Sequence, residues 1–311
     1  MFNDLIYTIS KDNHSEKFLK ELLNNHPEIK FVSLVGIDLS GNDTDAKIPM
    51  RIFLDDINVF LKGAIQTDGS SVAFPGIATL NNAKVDMLAD TDVNWFIDYN
   101  FENIDEKTNK PVGTLRIPCF LIHDGKAIDS RHILKSSIYN IEKNLLNFYK
   151  KYPELLSVYG ITFDDIDDIV ATAATELEFW VKTPEEKAQI EQLSTSEVLQ
   201  EQYWNRTKGA VRTALEQTLE LMDKYGFEAE MGHKEVGGVK ATLGEGGKLT
   251  HIMEQLELDW KYADALQAAD NELQVRILVK ETFRRHGLDV NFLAKPVEGV
   301  AGSGERSKSV V

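Results

Sequence analysis

Apolar positions recur along this chain with two periods, and the period changes several times. Phe18 and Leu22 lie four apart, as do Leu19 and Leu23, ahead of Pro27, so 16–26 reads as a short amphipathic helix. Short runs at 31–37, 48–54, 85–88, 94–99 and 115–122 read as strands. Turn signatures stand at Ser40-Gly41-Asn42-Asp43 and Asp68-Gly69-Ser70-Ser71. Residues 1–125 are therefore expected to form a small α+β domain. Leu134, Ile138, Ile141, Leu145 and Phe148 fall on one helix face, and Pro153 stops that helix. Helices are also expected over 164–174 and over 196–225, the latter closed by Gly226. Strands return at 175–181 and 228–236. Gly244-Glu245-Gly246-Gly247 then joins 239–243 to 249–258 as a hairpin. A helix over 264–286 and a strand at 290–293 follow, and the segment from Gly302 onward reads as loop.

The returning strands change the picture, because they carry acids. Glu176 and Glu178 are two apart, so a strand turns both carboxylates to one face and Leu177, Phe179 and Val181 to the other. Two carboxylates side by side repel each other, and a cation between them removes that cost. A solvated strand face without a ligand is the alternative for that pair alone. The strand through Glu228, Glu230, His233 and Glu235 and its hairpin partner with Gln255 and Glu257 add acids to the same region. Three antiparallel strands presenting carboxylates suit hard cations such as Mg2+ or Mn2+. No cysteine lies nearby to favour a structural zinc, and paired metals of this kind serve phosphoryl transfer or hydrolysis.

Composition narrows the partners. The 311 residues carry a net charge of −16, which argues against nucleic acid or an anionic membrane as the main partner. No apolar run reaches the ~18 residues of a membrane span, and the N-terminus lacks a signal-peptide pattern. The single Cys119 fits a reducing, cytoplasmic setting and reads as a small buried hydrophobe. Gly299 and Gly304 have the spacing of a phosphate-binding loop, but Glu305 stands where its lysine is required.

Seven motifs in order make the chain resemble glutamine synthetase. Asp68-Gly69-Ser70-Ser71 resembles the family's DGSS loop, and Asp86-Met87 with Asp90 its acidic segment. Arg116 through Asp129-Ser130-Arg131 resembles the stretch ending in DPR, with serine for proline. Glu176-Leu177-Glu178-Phe179 resembles ExEF. His233-Lys234-Glu235-Val236 resembles HHEV, with lysine for the second histidine. Glu254-Gln255-Leu256-Glu257 resembles GQxE, with glutamate for glycine. Ala294-Lys295-Pro296 and Gly302-Ser303-Gly304 resemble KP and GSG. The resemblance implies an N-terminal β-grasp domain over 1–125 and, over 126–311, part of a catalytic domain built on a curved antiparallel sheet with flanking helices. It implies that Glu178, Glu235 and Glu257 bind one Mg2+ or Mn2+ and Glu176 the metal bridging ATP phosphates. It implies that Asp68 serves ammonium in a neighbouring subunit's site, that Gly302 lines the glutamate pocket, and that subunits assemble into homo-oligomeric rings. The reaction implied is ATP-dependent joining of glutamate and ammonium through a γ-glutamyl phosphate.

The pattern departs after Gly304. Arg306 and Lys308 stand where the family has a metal-binding and an ATP-contacting histidine, and neither charged side chain can ligate a metal. The expectation is a chain that stops within the catalytic domain and is inactive alone. A non-catalytic paralogue that assembles with a full-length enzyme, and a ligase for another amine, are the alternatives.

Overall fold

The computed structural model describes residues 4–63, 65–69, 72, 74–77, 82–188, 203–244 and 249–310, with backbone alone for 305–310. Ser70, Ser71, residues 196–202 of the expected long helix and the hairpin turn at 245–247 lie outside the described residues. Two compact units divide between Ile169 and Val170.

The first unit is a mixed sheet with helices. Its strands are β1 (Thr8–Ile9), β2 (Ile29–Val35), β3 (Ile48–Pro49), β4 (Ile65–Asp68), β5 (Lys84–Ala89), β6 (Trp95–Asp105), β7 (Lys110–His123) and β8 (Lys126–Ala127). The order is β1-β6-β7-β2-β3, with β5 and β8 also on β7 and β4 on β5. Only β2 and β7 run parallel among the described pairs. Helix α1 (Glu16–Asn25) buries Leu19 and Leu23, and the Ser15 hydroxyl accepts from Phe18 N–H as its N-cap. Residues 48–54, expected as one strand, give only two strand residues. Met50–Asp55 is helix α2, followed by α3 (Ile57–Leu61), because Met50, Phe53, Ile57 and Phe60 bury at helical spacing.

Helix α4 (Ser130–Lys151) covers the expected apolar series. Asp129 caps it, one carboxylate oxygen accepting from His132 N–H and the other from Leu121 N–H of β7. Ser130 occupies the first helical position, where proline is favoured because its missing N–H would be an orphan. Serine keeps that N–H and uses it: the N–H donates to Ile37 O at 3.3 Å and the hydroxyl to Asp38 O at 2.7 Å. Arg131 is buried and pairs with buried Asp90 at 3.0 Å. These bonds tie α4 to the first sheet, so the first unit runs past residue 125. The helix expected over 164–174 is a single 3-10 turn, Phe163–Asp165, opened by the Thr162–Asp165 capping box; the backbone is extended from Ile166, and a strand begins at Thr172.

Among the described residues the second unit is an antiparallel sheet with two α-helices. It comprises β9 (Thr172–Pro184), α5 (Gly209–Tyr225), β10 (Ala229–Leu243), β11 (Leu249–Trp260), β12 (Ala263–Asp264), α6 (Ala265–Arg285), β13 (Asp289–Asn291) and β14 (Glu305–Val310). The order is β10-β11-β9; β12 continues β11 along the same edge of β9, and β9's other edge is shared by β13 and β14. β14 corrects the loop expected after Gly302: residues 305–310 pair with 172–177 and so occupy an edge whose backbone groups need partners. Strand alternation in β9 holds. Leu177, Phe179 and Val181 are buried, and Phe179 meets Phe283 of α6 edge-on at 5.5 Å.

Candidate metal centre

Register brings the acids together. Glu257 of β11 lies opposite Glu178 of β9 on one side and His233 of β10 on the other, and Asp259 lies opposite Glu176. Residues directly opposite on adjacent strands share a sheet face. β10 then bulges: Lys234 faces Leu256 and Val239 faces Glu254, so Glu235 through Gly238 together oppose the single Gln255. Within this arrangement His233, Glu235 and Glu257 each place a ligand atom within 4.8 Å of the others.

The electrostatics fit a cation. Glu257 is buried, and burial together with a shared hydrogen bond to Glu235 and the charges of Asp259, Glu235 and Glu178 pushes its carboxyl up to about 8. Glu235 Oε2 is buried and has no hydrogen-bond partner. His233 Nδ1 contacts the Lys234 carbonyl at 2.9 Å, and a carbonyl only accepts, so Nδ1 carries a proton. Nε2 then points its remaining valence toward Glu257 Oε2 at 3.7 Å and Asp259 Oδ2 at 3.9 Å. A ligating histidine usually has its second nitrogen held by a backbone carbonyl in this way. Three mutually close donors, one orphaned oxygen and crowded carboxylates make a set that a divalent cation would complete.

His233 is the residue that sequence reasoning passed over. Its signal was its position two residues before Glu235 on one strand, the spacing that marked Glu176 and Glu178. Glu235 and Glu257 are brought together as expected. Glu178 sits beside them but turns Oε2 to protein donors: Gln255 Nε2 at 2.9 Å and Gly304 N–H at 2.7 Å. Glu176 stands two cross-strand pairs further along β9, opposite Asp259. Gly302 supplies its carbonyl to Gln255 Nε2 at 2.9 Å, and a side chain at 302 would overlap the Ala294 carbonyl. Asp68, the last residue of β4, is exposed in the first unit. At the rim, Tyr203 and Trp204 stack at 5.4 Å, and each meets the His233 ring edge-on.

Two departures from the family motifs turn out to be one feature. Lys234 is 2% exposed, and its ammonium pairs with Glu254 at 2.8 Å. Glu254 is three residues before Glu257 on a regular strand, so it faces away from the cluster. The lysine of HKEV and the glutamate of EQxE are therefore partners on the opposite face, and neither enters the centre.

Fold and cluster together define an α+β protein whose antiparallel sheet presents a candidate divalent-cation site. Residues 164–307 match the family model described as glutamine synthetase, catalytic domain. Glutamine synthetase of Thermus thermophilus is 27% identical over 279 residues, 89% of this chain and 51% of that protein. That of Clostridium saccharobutylicum is 40% identical over 83 residues, 27% of this chain and 15% of that one. The GmaS/ADP complex superimposes with a TM-score of 0.61 at 17% identity, covering 94% of this chain and 55% of that one. Plasmodium falciparum glutamine synthetase gives 0.61 at 16%, covering 95% and 53%. The chain belongs to the glutamine synthetase family. It spans about half the length of the Thermus relative. Among the described residues no helix is long and apolar enough to cross a membrane.

Proposed function

We propose that this chain carries the metal-binding part of a glutamine synthetase active site and serves ATP-dependent ligation of glutamate to ammonia. The observation that carries the reading is the convergence of His233, Glu235 and Glu257 within 4.8 Å, beside Glu178, on one face of the sheet. Mg2+ or Mn2+ bound there would neutralise negative charge as the phosphate and carboxylate groups approach. Glu235 and Glu257, with Glu178 through its remaining oxygen, are the carboxylates assigned to one ion, and Glu176 is assigned to the ion nearest the nucleotide. ATP is supported by family membership and by the similarity in fold to GmaS, which forms a complex with ADP.

In the proposed reaction the γ-carboxylate oxygen of glutamate attacks the γ-phosphorus of ATP and ADP leaves. Ammonia then attacks the γ-carbonyl carbon of the γ-glutamyl phosphate, the C–O bond to phosphate breaks, and glutamine, inorganic phosphate and a proton are released. Catalysis of this kind is mainly positioning and charge stabilisation. Asp68 is proposed to bind ammonium and take its proton, in the site of a neighbouring copy in a homo-oligomeric ring. Gly302 is proposed to line the glutamate pocket.

The test has two stages. Mn2+ binding to the purified chain, followed by electron paramagnetic resonance, checks the centre, and Glu257→Gln should weaken it strongly. ATP-dependent γ-glutamyl hydroxamate formation, run with the chain alone and mixed with a full-length family member, checks the chemistry. Activity of the chain alone excludes the non-catalytic paralogue. Exchanging hydroxylamine for ammonia or methylamine identifies the amine. Absence of Mn2+ binding would sink the reading.

A further inference from the structure

We propose that Gln255 is a positioning residue that fixes both Glu178 and the 302–304 segment against the centre. This rests on the metal-binding reading above. Gln255 is 1% exposed and stands alone opposite the four-residue bulge of β10. All three functions of its side-chain amide are used. Its oxygen accepts from Gly237 N–H at 2.6 Å. Its nitrogen donates to Glu178 Oε2 at 2.9 Å and to the Gly302 carbonyl at 2.9 Å. Each partner accepts only one orientation of the amide: the backbone N–H requires the oxygen, and the carboxylate and carbonyl require the nitrogen.

The bulge makes room for this arrangement. At Gly237 a Cβ would overlap the Gln255 amide oxygen and also strike the Trp180 ring, so only glycine lets the backbone N–H reach it. On the other side Gly304 N–H donates to the same Glu178 Oε2 at 2.7 Å, and the Glu178 N–H donates back to Gly304 O at 3.2 Å. Glu178 Oε2 therefore holds two protein donors, and Oε1 is the oxygen left to face a cation. Gln255 thus links β9, β10, β11 and the segment after Pro296 in one polar knot. An amide placed this way sets which carboxylate oxygen is presented and where the Gly302 carbonyl stands, without touching the ion.

The experiment compares the wild-type chain with Gln255→Met and Gln255→Glu. Methionine keeps the volume and removes all three hydrogen bonds; glutamate keeps the acceptor for Gly237 and removes both donors. Mn2+ titration by electron paramagnetic resonance should show the dissociation constant raised about tenfold or more in both. Hydrogen exchange in EDTA should show faster exchange at the Ser303 and Gly304 amides, while amides of α6 stay protected. In the wild-type chain the Gln255 side-chain amide protons should exchange far more slowly than those of exposed glutamines, which needs no variant to fold. Wild-type affinity and unchanged exchange in Gln255→Glu, or rapid exchange of the wild-type Gln255 amide, would overturn the proposal. Should the wild-type chain bind no Mn2+, the metal reading fails, and the exchange measurements alone decide whether Gln255 holds the segment.

Discussion

Glu257 links burial to pH. Its carboxyl titrates at about 8 in the folded chain against an ordinary 4.5. Between those values the folded state holds a proton that the unfolded state has released, so stability falls as pH rises through this window and the full penalty stands above it. In EDTA, thermal midpoints should decline from about pH 5 to about pH 8, and Glu257→Gln should flatten the decline. A slope unchanged in that variant would mean another group is responsible. Mn2+ competes with the proton for the same oxygens, so its affinity should rise over the same window. Lys234 gives a second test. Lys234→Met leaves Glu254 buried and unpaired, and should cost about 3–5 kcal/mol by urea denaturation. Lys234→Met combined with Glu254→Leu should recover most of that loss, because both desolvated charges are gone. An additive double variant would show that the two side chains do not act as a pair. The carboxylate pattern was legible in the sequence because strand period is two and the acids keep to it. The Lys234–Glu254 pairing was not, since the two residues are distant in sequence and meet only through register.

Helices and strands were legible where their period was sustained. α1, α4 and α6 fall close to expectation, as do β9 and the β10–β11 hairpin. The failures share a cause: short apolar runs do not specify a period. Residues 48–54 carry apolar positions that serve a strand or a helix, and burial of Phe53 selected the helix. Residues 164–174 contain isoleucines among aspartates, and the backbone turns extended at Ile166 after one 3-10 turn. The strand at 305–310 answers to β9's open edge rather than to its own composition. Helix α4 raises a separate matter. Arg131 is its only buried residue, while Ile133, Tyr139, Ile141 and Phe148 are exposed, and Leu155, Val158 and Tyr159 after it are also exposed. Apolar surface gathered like this promotes association. Sedimentation velocity should show concentration-dependent self-association of the chain, reduced by Ile141→Lys with Phe148→Lys. A monodisperse monomer at all concentrations would count against it.

The whole chain consists of two compact units joined through residues 166–171, which hold no regular structure and are mostly exposed until Ala171. Limited proteolysis should cut first within this stretch, as mass spectrometry of the fragments would show; persistent cutting inside β7 or β9 first would contradict the division. All members of the candidate metal cluster belong to the second unit. Mn2+ should therefore delay exchange in β9, β10 and β11 and leave the amides of β6 and β7 unchanged.

The bulge in β10 also separates two parts of one hairpin. Before it, the pairing of His233 with Glu257 sets the centre; beyond it, Val239 to Leu243 follows its own register against β11. A four-against-one mismatch absorbs changes in length, so the far end is insulated from the near end. The connection between Gly244 and Leu249 is accordingly a place to graft a tag, a fluorophore or a small domain without moving the acids, and such a graft should leave Mn2+ titration of the candidate centre unchanged.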